Sequence, residues 1–173
     1  MVRRTFLPMT VALVLVLATA SVAMGAAGER RVVMLDACDG PTFNAAIGGP
    51  VCDRAGGVTF DKFVAQLIRF GEAPAWRFAP ESLAVATGGG IEAYNGGGEA
   101  HTFTEVEAFG GGCVPDLNMI LGLTPVPECS DPALFGSTLV LPGDELEVEN
   151  LASGTHLFEC LIHPWMRSTV TVD

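Results

Sequence analysis

Phe158-Glu159-Cys160-Leu161-Ile162-His163-Pro164-Trp165-Met166-Arg167-Ser168 sets a thiol, an imidazole and a thioether three residues apart, between two β-like runs. Soft sulfur together with imidazole is the donor set of a copper electron-transfer site. Alternate residues of a strand share a face, so His156, Phe158 and Cys160 point the same way. Pro164 then bends the chain, which allows His163 and Met166 to turn back toward Cys160. One loop thus offers three ligands, and a fourth must come from a facing strand end. The chain has three histidines. His101, which opens a strand after the Gly96-Gly97-Gly98 turn, is the natural candidate.

Moving outward, the chain from Trp76 onward reads as short alternating runs punctuated by turns. Residues 83–86, 91–94, 101–106, 137–141, 145–149, 155–160 and 168–172 all suit strands. Turn signals fall at 88–90, 96–98, 142–144 and 153–154. Strands at this spacing predict an all-β sandwich. The glycine triplets lack the following Lys-Ser/Thr pair of a phosphate loop and read as hairpin turns. Residues 109–136, rich in Gly and Pro, read as a long loop.

Toward the N-terminus, residues 31–36 suit a first, edge-like strand, and 38–54 hold a helical turn around 42–47. Phe60, Phe63, Val64, Leu67 and Ile68 recur at helical spacing, which predicts one amphipathic helix over 60–70 lying on the outside of a sheet. Thr59 is its N-cap, Asp61 suits the first turn and Gly71 ends it. Residues 26–75 therefore form an N-terminal extension to a domain over 76–173.

Residues 1–25 read as a signal peptide: Arg3 and Arg4, an apolar run from Met9 to Ala23, and a small-residue site before Ala26. Arg3-Arg4 also fits a twin-arginine signal, and the sequence does not decide the export route. A membrane association follows only if this segment is not cleaved. Its removal leaves 148 of the 173 residues, enough for one domain, and takes the formal charge from −11 to −13. Such acidity disfavours nucleic acid and favours a basic partner, or serves solubility alone. An exported, periplasmic or extracellular setting permits disulfides. Of the five cysteines, Cys38 with Cys52 and Cys113 with Cys129 are the local pairing among three possible ones. Each closes a loop of about 15 residues, worth about 3 kcal/mol in the chain-entropy account. Cys160 is left over as a thiol with another task.

Phe78-x-Pro80-x-x-Leu83-x-Val85, Gly90, Asn95, Gly98 and His101, followed by Pro142-Gly143, Val148, Gly154-Thr155, Phe158, Cys160, His163 and Met166, resemble the two ligand regions of the plastocyanin, amicyanin and pseudoazurin group of cupredoxins. The loop from Cys160 to Met166 is most similar to the short ligand loop of amicyanin. The resemblance covers about residues 76–173; residues 29–75 and 109–136 lie outside the group's usual core. It implies a cupredoxin-like Greek-key β-sandwich with one type 1 copper held by His101, Cys160 and His163, and Met166 as a weak axial ligand. It also implies a solvent-facing edge of the C-terminal histidine inside an apolar docking patch. Pro164 and Trp165 flank that edge, and Trp165 either enlarges the patch or packs beneath the long loop. Thr102, just after the first ligand, is expected to steady the loop that bears Cys160.

Zinc is the rival metal, through His101, His156, Cys160 and His163. His156 lies four residues up the strand, about 13 Å from Cys160 at 3.3 Å per residue, and reads as structural. No nucleophile–base pair stands out. The expected function is therefore an exported, monomeric carrier of single electrons between redox proteins, and not an enzyme. The alternatives are a copper-holding or delivery protein and a small copper oxidoreductase with an open metal position.

Overall fold

The computed structural model describes residues 28–173, so the signal-peptide reading of 1–25 lies outside the described residues. The chain runs through β1 (Arg30–Leu35), α1 (Gly40–Ile47), α2 (Phe60–Phe70), β2 (Arg77–Ala79), β3 (Ser82–Val85), β4 (Ile91–Asn95), β5 (His101–Thr102) and β6 (Thr104–Val106). It continues with α3 (Pro115–Leu121), a 3-10 turn at Pro127–Ser130, α4 (Pro132–Ser137), β7 (Leu139–Val140), β8 (Glu145–Val148), β9 (Gly154–Glu159) and β10 (Arg167–Val172). The described structure is mainly sheet with several short helices, where the sequence alone predicted an all-β sandwich with one added N-terminal helix and a long loop. Among the described residues no helix is long and apolar enough to cross a membrane.

Two four-stranded sheets, ordered β2-β1-β4-β8 and β3-β10-β9-β6, share one apolar core, and β5 pairs with β7 in a small ribbon. Alternation builds that core: Val32 and Met34 of β1, Ile91 and Ala93 of β4, and Val170 and Val172 of β10 all point inward. Phe103 stacks on Phe158 at 4.3 Å and meets Phe78 edge-on at 5.2 Å. Burying each such ring contributes about 1.5–3 kcal/mol. The first strand, expected at an edge, lies inside its sheet, antiparallel to β2 and parallel to β4. Its alternation of buried and half-exposed residues suits an interior strand, and short spacing to its partners was not visible in sequence order.

Helix α2 has Thr59 at its N-cap, Asp61 in the first turn, Arg69 in the last, and Gly71 in the left-handed conformation (φ 76°) that closes it. It packs mainly on α1 and α3 and not on the outside of a sheet. Phe63 and Leu67 are buried, while Ile68 is 71% exposed, so the apolar stripe is narrower than the periodicity implied. Phe63 packs on Phe43 of α1 at 5.3 Å and on Trp76 at 4.7 Å. This aromatic cluster draws α1 and α2 across the end of the sandwich where His163 sits.

The 109–136 segment also differs from a plain loop. It contains α3, the 3-10 turn and the start of α4, each opened by a proline in its first turn. Proline at that position does not break a helix, because its missing N–H lacks an intrahelical partner there anyway. Disulfides join Cys38 to Cys52 and Cys113 to Cys129, and Cys160 is a free, buried cysteine.

Candidate metal centre

Strand pairing creates the site. β9 and β10 run antiparallel, with Glu159 opposite Arg167. The Cys160 N–H donates to the Met166 carbonyl at 3.0 Å, and the Met166 N–H donates to the His163 carbonyl at 2.9 Å, closing the loop between the strands. Cys160 sits just past the end of β9, and His101 at the start of β5. Cys160 Sγ lies 3.8 Å from His101 Nδ1 and 3.9 Å from His163 Nδ1, and the two nitrogens are 3.2 Å apart. All three side chains are buried. Bonds of about 2.0 Å to imidazole nitrogen and about 2.3 Å to thiolate sulfur, spread near 120°, separate sulfur from nitrogen by about 3.7 Å. The donor set therefore fits one first-row metal ion. Met166 is fully buried in the same apolar core as Cys160.

Electrostatics favour the thiolate. Burial alone pushes the Cys160 thiol up, but its contacts with the imidazoles of His101 and His163 outweigh this and hold it well below the usual range. The sulfur also accepts the backbone N–H groups of Thr102 and His163, each at 3.4 Å. Thr102 grips the ligand loop a second time: its Oγ1 accepts the Leu161 N–H at 2.8 Å and the Thr104 hydroxyl at 3.0 Å. Thr102→Val removes the acceptor for Leu161 N–H and leaves that donor buried, a cost of about 1–3 kcal/mol. The expected outcome is a lower melting temperature together with a shifted visible spectrum of the copper-loaded protein. Unchanged values for both would show that Thr102 does not steady the loop.

Three residues that sequence reasoning missed complete the site. Asp36, just past β1, places Oδ2 3.0 Å from His101 Nε2, and the same oxygen accepts the N–H groups of Gly98 at 2.8 Å and Glu99 at 3.0 Å. Its Oδ1 accepts the Cys38 N–H at 3.1 Å. Burial raises the Asp36 carboxyl, yet His101 and these backbone donors bring it below its ordinary value. In return His101, which burial would lower, is pushed up to about 9 by Asp36 and Cys160. The backbone approaches Asp36 so closely at Gly97 that a Cβ there would overlap Oδ2. The 96–98 turn, read from sequence as a hairpin turn, thus also cradles a carboxylate.

Glu99 and Trp76 form the second addition. The Trp76 indole N–H donates to Glu99 Oε2 at 2.5 Å, and that oxygen lies 3.8 Å from His163 Nε2. Burial pushes the Glu99 carboxyl up despite His163 and the indole N–H. The only sequence signals for these roles were a carboxylate closing an apolar strand and another two residues before His101.

His163 is 4% exposed, covered by Phe63, Trp76 and Trp165 at ring separations of 6.3, 6.5 and 5.4 Å. The imidazole edge that the resemblance implied would face bulk solvent instead has Phe63 of α2 against it. Pro164 is buried, and Trp165 is half-buried against Phe63 at 5.9 Å. The two residues do not form an open patch.

His156 stands apart. Its Nδ1 lies 2.6 Å from Glu105 Oε1 and its Nε2 2.8 Å from the Ala152 carbonyl, and it is not among the clustered donors. Four protein ligands for tetrahedral zinc are therefore not brought together. Glu105 and then the Ala152 carbonyl raise its pKa above the ordinary 6.5. The folded state holds the proton more tightly than the unfolded chain, so this contribution is full below about pH 6.5 and disappears as pH rises through the folded value. An NMR titration should place the His156 midpoint above 6.5, and Glu105→Gln should lower it; equal midpoints would remove Glu105 as the cause.

A mainly β protein with a buried Cys-His-His cluster at one end of two packed sheets is the class that fold and site define. No protein-family model matches the chain, and no curated protein does. Among solved structures it is similar to a purple cupredoxin from Nitrosopumilus maritimus, at 13% identity over 83% of this chain and 99% of that one, with a TM-score of 0.42. It is also similar to an amicyanin variant in its Cu(I) form, at 17% identity over 56% of this chain and 73% of that one, with a TM-score of 0.37. Oxidised plastocyanin from Dryopteris crassirhizoma is similar at 20% identity over 57% of this chain and 89% of that one, with a TM-score of 0.36.

Proposed function

We propose that residues 76–173, together with strand β1, form a cupredoxin-like Greek-key sandwich that holds one type 1 copper ion through His101, Cys160 and His163, with Met166 as a weak axial ligand. The protein then carries single electrons between redox partners. The observation that carries this reading is the convergence of one thiolate and two imidazole nitrogens, 3.2–3.9 Å apart in a buried pocket. Copper in such a set exchanges one electron between two oxidation states, both of which this soft, trigonal donor arrangement suits.

The chain's own part is to keep the donors in place. Two backbone N–H groups hold the Cys160 sulfur, Thr102 anchors the loop after it, and Asp36 fixes the orientation of the His101 ring by taking its remote nitrogen. Such outer partners set ring orientation and ligand basicity. Little has to move when an electron arrives. We read the protein as an electron carrier and not a catalyst, working as a monomer with protein partners, basic ones suiting its formal charge of −11, and not with nucleic acid. Its two disulfides suit an exported setting, with residues 1–25 as the signal peptide and residues 26–75 as an added segment.

The test is the visible and electron-paramagnetic spectrum of the copper-loaded protein, followed by voltammetry. An intense visible band, one copper per chain, a reversible one-electron wave and indifference to azide are expected. A colourless protein, or one whose spectrum changes on azide addition, would overturn the reading.

A further inference from the structure

Against the covered face of His163 lies a partly open cavity of about 660 Å³, walled by α1, α2 and α3 and by the 141–142 and 162–163 turns. That volume falls within the range of small-molecule sites, which are mostly apolar with a few placed polar groups. The rings of Phe43, Phe60 and Phe63 line it, with His163 and Glu99 among its walls. Its charged lining residues, Asp53, Glu99 and Asp116, are all acidic, and no lysine or arginine lines it. Ile47, Ile120 and Leu141 carry the apolar lining out to the surface, at 53%, 39% and 51% exposure.

We propose that this cavity binds an uncharged aromatic molecule bearing a hydroxyl group, of the phenol or hydroquinone class, with its ring among the phenylalanines and beside His163. Three features of the lining select this class. Aromatic walls favour a ring through offset and edge-to-face contacts. Three carboxylates with no basic residue repel carboxylated or phosphorylated ligands, because an anion there would lose its hydration without gaining an opposite charge. Glu99 offers a carboxylate oxygen to a hydroxyl donor, its Oε2 being already fixed by Trp76. The inference deepens the reading of the same site, since His163 belongs to both, and it rests on that reading only for the ligand's redox meaning.

Binding is tested in the metal-free protein, so its outcome is separate from that of the copper reading. The probe is 2-naphthol, followed through the backbone amide resonances of the full exported chain, with 2-naphthoate as the anionic control of similar shape. Saturable shifts at Val51, Val64, Leu117 and Ile120 are expected, with naphthoate bound at least about tenfold more weakly. Val64→Trp fills the cavity from α2 and Leu117→Trp from α3; whichever retains the wild-type spectrum elsewhere should weaken 2-naphthol at least about tenfold. Absence of saturable shifts, equal binding of the naphthoate, or undiminished binding in a folded filled variant would overturn the proposal. Binding by a protein that shows no intense copper band would leave the cavity assignment standing and remove the electron-carrier reading instead.

Discussion

Cys160→Ser is expected to remove the intense visible band of the copper-loaded protein completely while leaving the sandwich folded. Sγ is buried, lies within 3.9 Å of both imidazole nitrogens, and accepts two backbone N–H groups. Serine keeps an acceptor for those donors, so the fold loses about 1–3 kcal/mol at most. A serine hydroxyl is a hard donor that does not ionise near neutrality, whereas the imidazoles hold the native thiol well below its usual pKa. The soft ligand that type 1 copper requires is therefore gone. Copper affinity should fall by more than the 10–100-fold typical of outer-partner substitutions. Far-ultraviolet circular dichroism and the visible spectrum, recorded on one sample, check both halves. Retained colour would defeat the ligand assignment.

The second large effect concerns Asp36. Asp36→Asn is expected to raise the midpoint potential by about 60 mV or more, a tenfold change in the oxidised-to-reduced ratio for a one-electron couple. The side chain is fully buried and 3.0 Å from His101 Nε2, so its negative charge acts on the centre through a medium that screens poorly. Removing that charge disfavours the more positive, oxidised centre. Asparagine retains one oxygen for the His101 ring and for the Gly98 and Glu99 N–H groups, but it turns an amide N–H₂ toward the Cys38 N–H. That donor-against-donor contact should cost about 1–3 kcal/mol of stability. Voltammetry and thermal unfolding separate the two consequences. A lowered melting temperature with an unmoved potential would mean that Asp36 only holds the 96–98 turn.

Local chemistry in the sequence was enough for some of this. The spacing of Cys160 and His163 placed two donors in one loop, which closes where the Cys160 N–H meets the Met166 carbonyl, because hairpin geometry brings residues six apart back together. The odd cysteine was legible by subtraction, and both local disulfides formed as the shortest pairing proposed. Helix α2 was readable to its ends, since its periodicity, Thr59 and Gly71 are all nearest-neighbour signals. Helices α3 and α4 were not, because six or seven residues beginning with proline carry too little periodicity to stand out in a Gly- and Pro-rich run.

What the sequence by itself determined, then, is the loop that carries Cys160 and His163, the odd cysteine and the strand-rich texture, while the disulfide pairing seen in the structure was one of three that the sequence allowed. Tertiary structure alone decided that Asp36 reaches His101, 65 positions away, that Trp76 ties down Glu99, and that α2 sets Phe63 against His163. A buried carboxylate has no local signature: its placement depends on which strands become neighbours and on whether backbone N–H groups converge where its charge must be satisfied. The pairing of β1 with β4 makes that convergence possible, and such pairing is fixed only when the two sheets bury their shared core.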